Sequence, residues 1–340
     1  MSTGTSNRPT WYLVREHEIS TEYAGTTLGE YYTDPDVFLQ TEIKASAKFF
    51  ELYGYGPARL TEIGINPFFY TVAGLLGAKL VFPPDASAQI EGRVVKKLSD
   101  IRNLEVPTDV ASAGYIPALI QKFEYLRAKA EITGITPVFS LANQSPLGTA
   151  TVLRGTEIFT DIIEQPGAVK DLLEIITETA IRAIGFQEKF TGRIPENIGM
   201  DDDYGGLYHP DLYEEFNLPY IKRVLYNREY KERALHTETF SIDHLRFIEE
   251  LDITHYDAWP YHGMEVEDVL AALPKRYFTW NIATAKDLYT YTAEGIAEEY
   301  ARLVDLGAPG IVLNLCARGV PRQIIRAFVD TAREFDRRTP

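Results

Sequence analysis

The stretch ERALHTE, residues 232–238, decides the fold. A short apolar run, Ala234-Leu235, leads straight into His236-Thr237-Glu238. In a β-strand, residues i and i+2 point to one face. His236 and Glu238 therefore project together, and Thr237 projects the other way. Similar short segments that close on polar residues recur along the chain. They are RLTEIGIN (59–66), ITPVFSLAN (135–143), ENIGMDDD (196–203), ITHYDAW (253–259), RYFTWNI (276–282) and GIVLNLC (310–316). KLVF (79–82) reads as another strand or a small hairpin.

Amphipathic helical patterns lie between these segments. DPDVFLQTEIKASAKFFELYG, EIFTDIIEQPGAVKDLLEIITETAIRAIGFQEKF, HPDLYEEFNLPYIKRVLYN, SIDHLRFIEELD, TAEGIAEEYARLVDLG and PRQIIRAFVDTAREF are examples. Asp34-Pro35, Pro166 and Pro210 stand where helices start, because a missing N–H costs nothing there. Gly307 follows the last apolar position of its helix, as a C-cap does. Strands alternating with helices predict βαβ units and a parallel sheet. No GxGxxG follows an early strand, which removes the main cue for a dinucleotide-binding fold. The strand count and the length of 340 residues predict an α/β protein, a (β/α)8 TIM barrel. No linker or low-complexity tract divides it, so the barrel is expected as a single domain over residues 31–340, after an N-terminal extension of residues 1–30.

Composition narrows the partners. The net charge of −15 argues against nucleic acid and against an anionic membrane surface. No apolar run reaches the roughly 18 residues of a membrane helix, and the first residues lack the apolar core of a secretory signal. A cytoplasmic protein is expected. The one cysteine, Cys316, can form no intramolecular disulfide. The 21 tyrosines suit half-buried positions, with an apolar ring and a wet hydroxyl.

A barrel keeps its active site at the C-terminal ends of its strands. The polar strand ends here are Asn66, Asn143, Asp201 to Asp203, His236 to Glu238, Asp257, Asn281 and Cys316. Imidazole, carboxylate and thiolate all bind zinc, and a catalytic zinc keeps three protein ligands and one open position. His236, Glu238 and Cys316 are the candidate metal ligands. Spacing alone leaves the alternative open: a rim histidine, a solvated carboxylate and a buried thiol with separate roles. Asp202, Asp203 and Tyr204 are the candidate catalytic groups, and Asn66, Asn143, Asp201 and Asn281 the candidate substrate contacts. Alternation puts Asp201 and Asp203 on one face and Asp202 on the other. One of these acids could orient His236 through its second ring nitrogen. The competing reading is an acidic cluster at the N-terminus of the helix near Pro210. His255 with Asp257 is a lesser ligand pair, while His209, His244 and His262 have no comparable support.

SPLGTATVLRGTEIFTDIIEQPGAVKDLLEIITE (145–178) resembles a stretch of the uroporphyrinogen decarboxylase superfamily, roughly GPFTLA, then an apolar helix, then edP-x-x-v-x-x-l-l. YYTDPDVFLQTEIKASAKFFELYGYG (31–56), DDDYGGLYHPDLYEEFNLPYIKRV (201–224) and NLCARGVPRQIIRAFVDTAREF (314–335) resemble other blocks of it. The resemblance implies a (β/α)8 barrel and either of two chemistries, cofactor-free decarboxylation of uroporphyrinogen or methyl transfer to or from a corrinoid. The methyltransferases of the superfamily hold zinc by His-x-Cys after one strand and a Cys at the end of a later one. His236 and Cys316 match the outer positions, and Glu238 stands in place of the middle Cys. The decarboxylase branch fits less well, since NRPTWYLVREHE (7–18) is similar to its RPVW-M-R-Q-A-G-R-Y signature but lacks the glycine and the second arginine.

The resemblance thus implies Zn2+ as cofactor and methyl transfer between a small methylated substrate and a corrinoid (cobalamin). No D-x-H-x-x-G segment is present to ligate cobalt, so the corrinoid would come on a carrier protein. An oxygen ligand in place of a thiolate leaves zinc more Lewis acidic and favours an oxygen substrate. A phenyl methyl ether, as in an O-demethylase, is the substrate expected. Thiol-directed methylcobalamin methyl transfer, decarboxylation and a non-catalytic ligand-binding barrel are the alternatives. A homodimer is compatible with all of them.

Overall fold

The computed structural model describes residues 9–65, 70–259, 263–284 and 286–338. Asn66 and His262 lie outside the described residues. The chain divides into two compact units, one of Met1–Leu60, Pro84–Ser87 and His255–Pro340, the other of Thr61–Pro83 and Ala88–Thr254. Its strands are β1 (Thr10–Arg15), β2 (Glu62–Ile65), β3 (Lys79–Val81), β4 (Gln89–Glu91), β5 (Thr136–Phe139), β6 (Asn197–Asp201), β7 (Glu232–Thr237), β8 (His255–Ala258), β9 (Tyr277–Asn281) and β10 (Gly310–Leu315).

In the first unit, β8, β9, β10 and β1 lie side by side in that order. β8 with β9, β9 with β10 and β10 with β1 all pair in parallel. Thr10–Arg15 falls within the thirty residues set apart as an extension. It pairs along its whole length with β10, from Thr10↔Gly310 to Arg15↔Leu315. The partner lies at the far end of the chain, so nothing local signals the pairing. Trp11 secures it, its ring 6.1 Å from that of Phe328 and its Nε1–H donating to Asp336 Oδ2 at 2.9 Å.

In the second unit, β2 pairs with β5 and β6 pairs with β7, both in parallel. The chain beyond β5 touches β6 through a single parallel bridge, Gln144↔Asp201. KLVF becomes the β3–β4 hairpin. The parallel α/β alternation is as the sequence predicts. Closure into a (β/α)8 ring is not: with one bridge between β5 and β6, the described ladders form no unbroken ring. Pro137 within β5 has no N–H to offer a second neighbour.

Helices follow their predicted signals. Pro35–Tyr53 has Asp34 as N-cap, with Oδ1 accepting the Asp36 and Val37 N–H groups. Ala293–Leu306 ends at Gly307, whose φ of 83° is the left-handed C-cap geometry. Pro166–Thr191 buries Val169, Leu172, Leu173, Ile176, Ala180, Ala183 and Ile184, a stripe at helical spacing. Each fully buried Leu or Ile there contributes about 1.5–3 kcal/mol. Ile116–Thr133 escapes the periodic reading because only Ile116, Leu119 and Leu126 of its 18 residues are buried. Among the described residues, no helix is long and apolar enough to cross a membrane.

Strand alternation sorts the side chains. In β10, Ile311, Leu313 and Leu315 are wholly buried, so Val312, Asn314 and Cys316 share the other face. In β7, Leu235 and Thr237 are buried while His236 stays partly accessible.

Candidate functional site

Register brings the site of the second unit together. Asp201 of β6 lies opposite His236 of β7. The Asp202 N–H then donates to the His236 carbonyl at 2.8 Å. Thr239 clamps the two strand ends: its Oγ1 donates to the Asp203 carbonyl at 2.9 Å and accepts the Gly206 N–H at 3.0 Å. Gly206 is obligatory there, since a Cβ would lie 1.8 Å from the Thr239 carbonyl oxygen.

Asp203, His236 and Glu238 form one cluster, with a ligand atom from each within 4.8 Å of the others. His236 Nε2 is 3.6 Å from Asp203 Oδ1 and 3.9 Å from Glu238 Oε1. Asp203 Oδ2 accepts from Gln144 Nε2 at 3.3 Å, whereas its buried Oδ1 has no hydrogen-bond partner among the described residues. Burial raises the Asp203 carboxyl above its usual range; His236 opposes the shift and Glu238 adds to it. Glu238 is the exposed member, with 47% of its side chain accessible. Ligands about 2.1 Å from a tetrahedral zinc stand about 3.4 Å apart. The two measured separations fit a metal after small movements, and the orphaned Asp203 oxygen is a ready donor. Nε2 of His236 faces both carboxylates, so Asp203 is placed with the atoms that could hold a metal. An orienting carboxylate would instead sit on the other ring nitrogen.

Asp202 faces the opposite way and is wholly buried. Its Oδ1 accepts from Ser145 Oγ at 2.5 Å, and its Oδ2 accepts from the Tyr213 hydroxyl at 2.8 Å and Asn217 Nδ2 at 3.0 Å. Burial pushes its carboxyl up to about 7, against the pull of these hydrogen bonds. Ser145 and Asn217 also hold the helix Pro146–Arg154, accepting the Gly148 and Leu147 N–H groups. Asp202 therefore ties β6 to three neighbouring segments.

Tyr204 is half-buried, and burial followed by its neighbours Tyr70, Asp203 and Glu238 raises its phenol. Tyr70 is raised likewise by burial and Asp203. Asp201 is half-buried in register with His236. Asn143 donates its Nδ2 to the Gly199 carbonyl at 3.2 Å, and its own carbonyl accepts the Asp201 N–H at 2.9 Å. Asn281 and Cys316 belong to the first unit, at the ends of β9 and β10. Asp257 accepts from Thr279 Oγ1 at 2.7 Å, and the His255 ring packs 4.9 Å from that of Tyr277. His244 is buried on Phe240, with Nε2 3.0 Å from the Tyr208 carbonyl. His209 caps the helix Pro210–Phe216.

Gln144, Tyr70 and Thr239 escaped the sequence reading. Gln144 and Tyr70 follow β5 and β2 at their polar ends, which is a usable signal. Thr239 has none, because its role depends on where Gly206 packs.

The sequence profile of the family described as uroporphyrinogen decarboxylase (URO-D) matches residues 8–335. No curated protein matches the chain. Among solved structures, it is similar to a methyltransferase from Methanosarcina mazei at 16% identity. That match covers 97% of this chain and 94% of that one, with a TM-score of 0.73. A B12-independent methionine synthase from Shewanella sp. W3-18-1, in complex with selenomethionine, matches at 12% identity and a TM-score of 0.48, covering 97% and 98%.

Proposed function

The chain belongs to the uroporphyrinogen decarboxylase family, and on that premise we propose that it is a zinc-dependent methyltransferase. It moves a methyl group between a small methylated substrate, best a phenyl methyl ether, and a corrinoid on a carrier protein. The observation that carries this reading is the Asp203–His236–Glu238 cluster. The parallel ladders β8-β9-β10-β1 in one unit and β2-β5 and β6-β7 in the other support a (β/α)8 barrel as the frame, with residues 31–340 as its body and β1 of the N-terminal extension added to its sheet. The cytoplasm is the proposed compartment.

His236 and Glu238 would hold zinc. The third ligand is Asp203 on the strength of its orphaned oxygen. Cys316 is the thiolate option, on the strength of its strand-end place after β10. Zinc held there would supply Lewis acidity to a methyl-bearing oxygen and so make it a better leaving group. A reduced corrinoid on the carrier would be the methyl acceptor, and the substrate oxygen would keep the electron pair of the broken methyl–oxygen bond and take one proton from solvent. Tyr204 and Tyr70, kept protonated by burial, supply hydrogen-bond donors beside Asp203. Asp202 is a positioning residue, holding the β6 end against β7. Asn66, Asn143, Asp201 and Asn281 are assigned to substrate contact. The hard ligand set favours an oxygen donor over a thiol. Decarboxylation of a polycarboxylate is disfavoured because Arg15 is already ion-paired to Glu42 at 2.6 Å.

The test has two parts. Purified protein should carry about one zinc per chain. Loss of zinc in Asp203→Asn with retention in Cys316→Ser supports the carboxylate set, and the reverse supports the thiolate set. Methylation of a Co(I) corrinoid carrier, followed by its absorption spectrum, should proceed with a methyl ether. Release of carbon dioxide by metal-free protein, or transfer from thioethers alone, would refute the reading.

A further inference from the structure

We infer that Asn281 and Asn314 form a two-point recognition site for a neutral hydrogen-bonding group, a hydroxyl or a carboxamide, on a small substrate. The two residues stand at the C-terminal ends of neighbouring parallel strands, with Val312 in register with Asn281. Asn281 is wholly buried. Its Oδ1 accepts the Asn314 N–H at 3.2 Å, which fixes the orientation of the amide. The Asn281 Nδ2 is thereby a donor, and among the described residues it has no partner. Asn314 is fixed by the same logic. Its Nδ2 donates to Glu16 Oε1 at 3.4 Å, and among the described residues its buried Oδ1 is left without a donor.

Buried polar groups are nearly always satisfied, so an unmet donor and an unmet acceptor from two adjacent asparagines call for an occupant. Both amides are held in orientation by their other bonds, so a ligand has only to displace the groups that cover them. A hydroxyl or a carboxamide accepts from Asn281 and donates to Asn314 at once. A carboxylate or sulfonate has nothing to donate to Asn314 and brings its charge near Glu16. An ammonium group can pair with Glu16 but cannot accept from Asn281. Arg318, the cation nearest in sequence, commits Nη2 to Thr21 Oγ1 at 2.8 Å and the Thr26 carbonyl at 3.4 Å.

This inference rests on the methyl-transfer reading only in calling the bound group a substrate. Binding can be measured with neither metal nor corrinoid, so the two can fail separately. Saturation-transfer NMR on the full chain would compare benzamide and benzyl alcohol with benzoate and benzenesulfonate. Both neutral probes should bind at least about tenfold more tightly than the anions. Asn281→Asp keeps an oxygen for the Asn314 N–H but loses the donor, and should weaken benzamide by about tenfold. Glu16→Gln leaves Asn281 untouched and should narrow the gap between benzamide and benzoate by about fivefold. Three results would overturn the inference: equal binding of benzoate and benzamide to the unaltered chain, no binding of a neutral probe, or a folded Asn281→Asp that binds benzamide as before, which would leave only water at the site.

Discussion

Asp202→Ala removes the acceptor shared by three buried donors, Ser145 Oγ, the Tyr213 hydroxyl and Asn217 Nδ2. Ser145, Tyr213 and Asn217 are themselves wholly buried. Each buried group left unsatisfied costs roughly 1–3 kcal/mol, so the sum is roughly 3–9 kcal/mol. Two effects work against the upper end. Water can enter the vacated space and meet one of the donors. The alanine also relieves the burial of a carboxyl, the same penalty that pushes Asp202 up to about 7. The expected net loss is about 4 kcal/mol, with Asp202→Asn losing about half because one acceptor oxygen remains. Urea unfolding at pH 7.5, followed by far- and near-ultraviolet circular dichroism, measures it. The sign with pH is also set. The folded carboxyl titrates at about 7, above the unfolded value of about 3.9, so its contribution is fully present below pH 4 and is lost as pH rises toward 7. Asp202→Asn should lack that decline. A loss below about 1 kcal/mol in Asp202→Ala would refute the reasoning, because three orphaned donors cannot cost so little in a dry site.

Gly206→Ala should destabilise by at least about 2 kcal/mol and lower zinc content, because its Cβ must displace the Thr239 carbonyl just beyond β7; thermal unfolding and metal analysis read both effects. His244 is lowered by burial, so its contribution is present above about pH 6.5 and lost as pH falls below it. His244→Gln should therefore flatten the acid side of the stability curve, measured by urea midpoints between pH 5 and 8. His236→Ala should bring zinc to near zero, since the one nitrogen that faces both carboxylates is gone; retention of metal would place the metal elsewhere.

What the sequence could disclose follows from the range of each interaction. Strands such as GIVLNLC and helices such as Pro166–Thr191 show in local patterns, because period and capping are properties of neighbours along the chain. β1 is invisible on those terms, since its strand partner among the described residues of its unit lies three hundred residues away. The site behaves in the same way. His236 and Glu238 share a face at i and i+2, so the strand period finds them. The orphaned oxygen of Asp203 does not follow from period, for it depends on the register that sets Asp201 beside His236. Spacing alone leaves the distant thiol a separate role, and it is the family resemblance that implies it as third ligand. With register known, a carboxylate two residues beyond Asp201 competes for that place. A ligand set of two carboxylates and an imidazole is harder than one with thiolate, so the case for an oxygen-bound methyl group is stronger with Asp203 in place than with Cys316. Asp203→Cys therefore separates ligand identity from mere occupancy: it should keep zinc while slowing demethylation of a phenyl methyl ether more than that of a thioether.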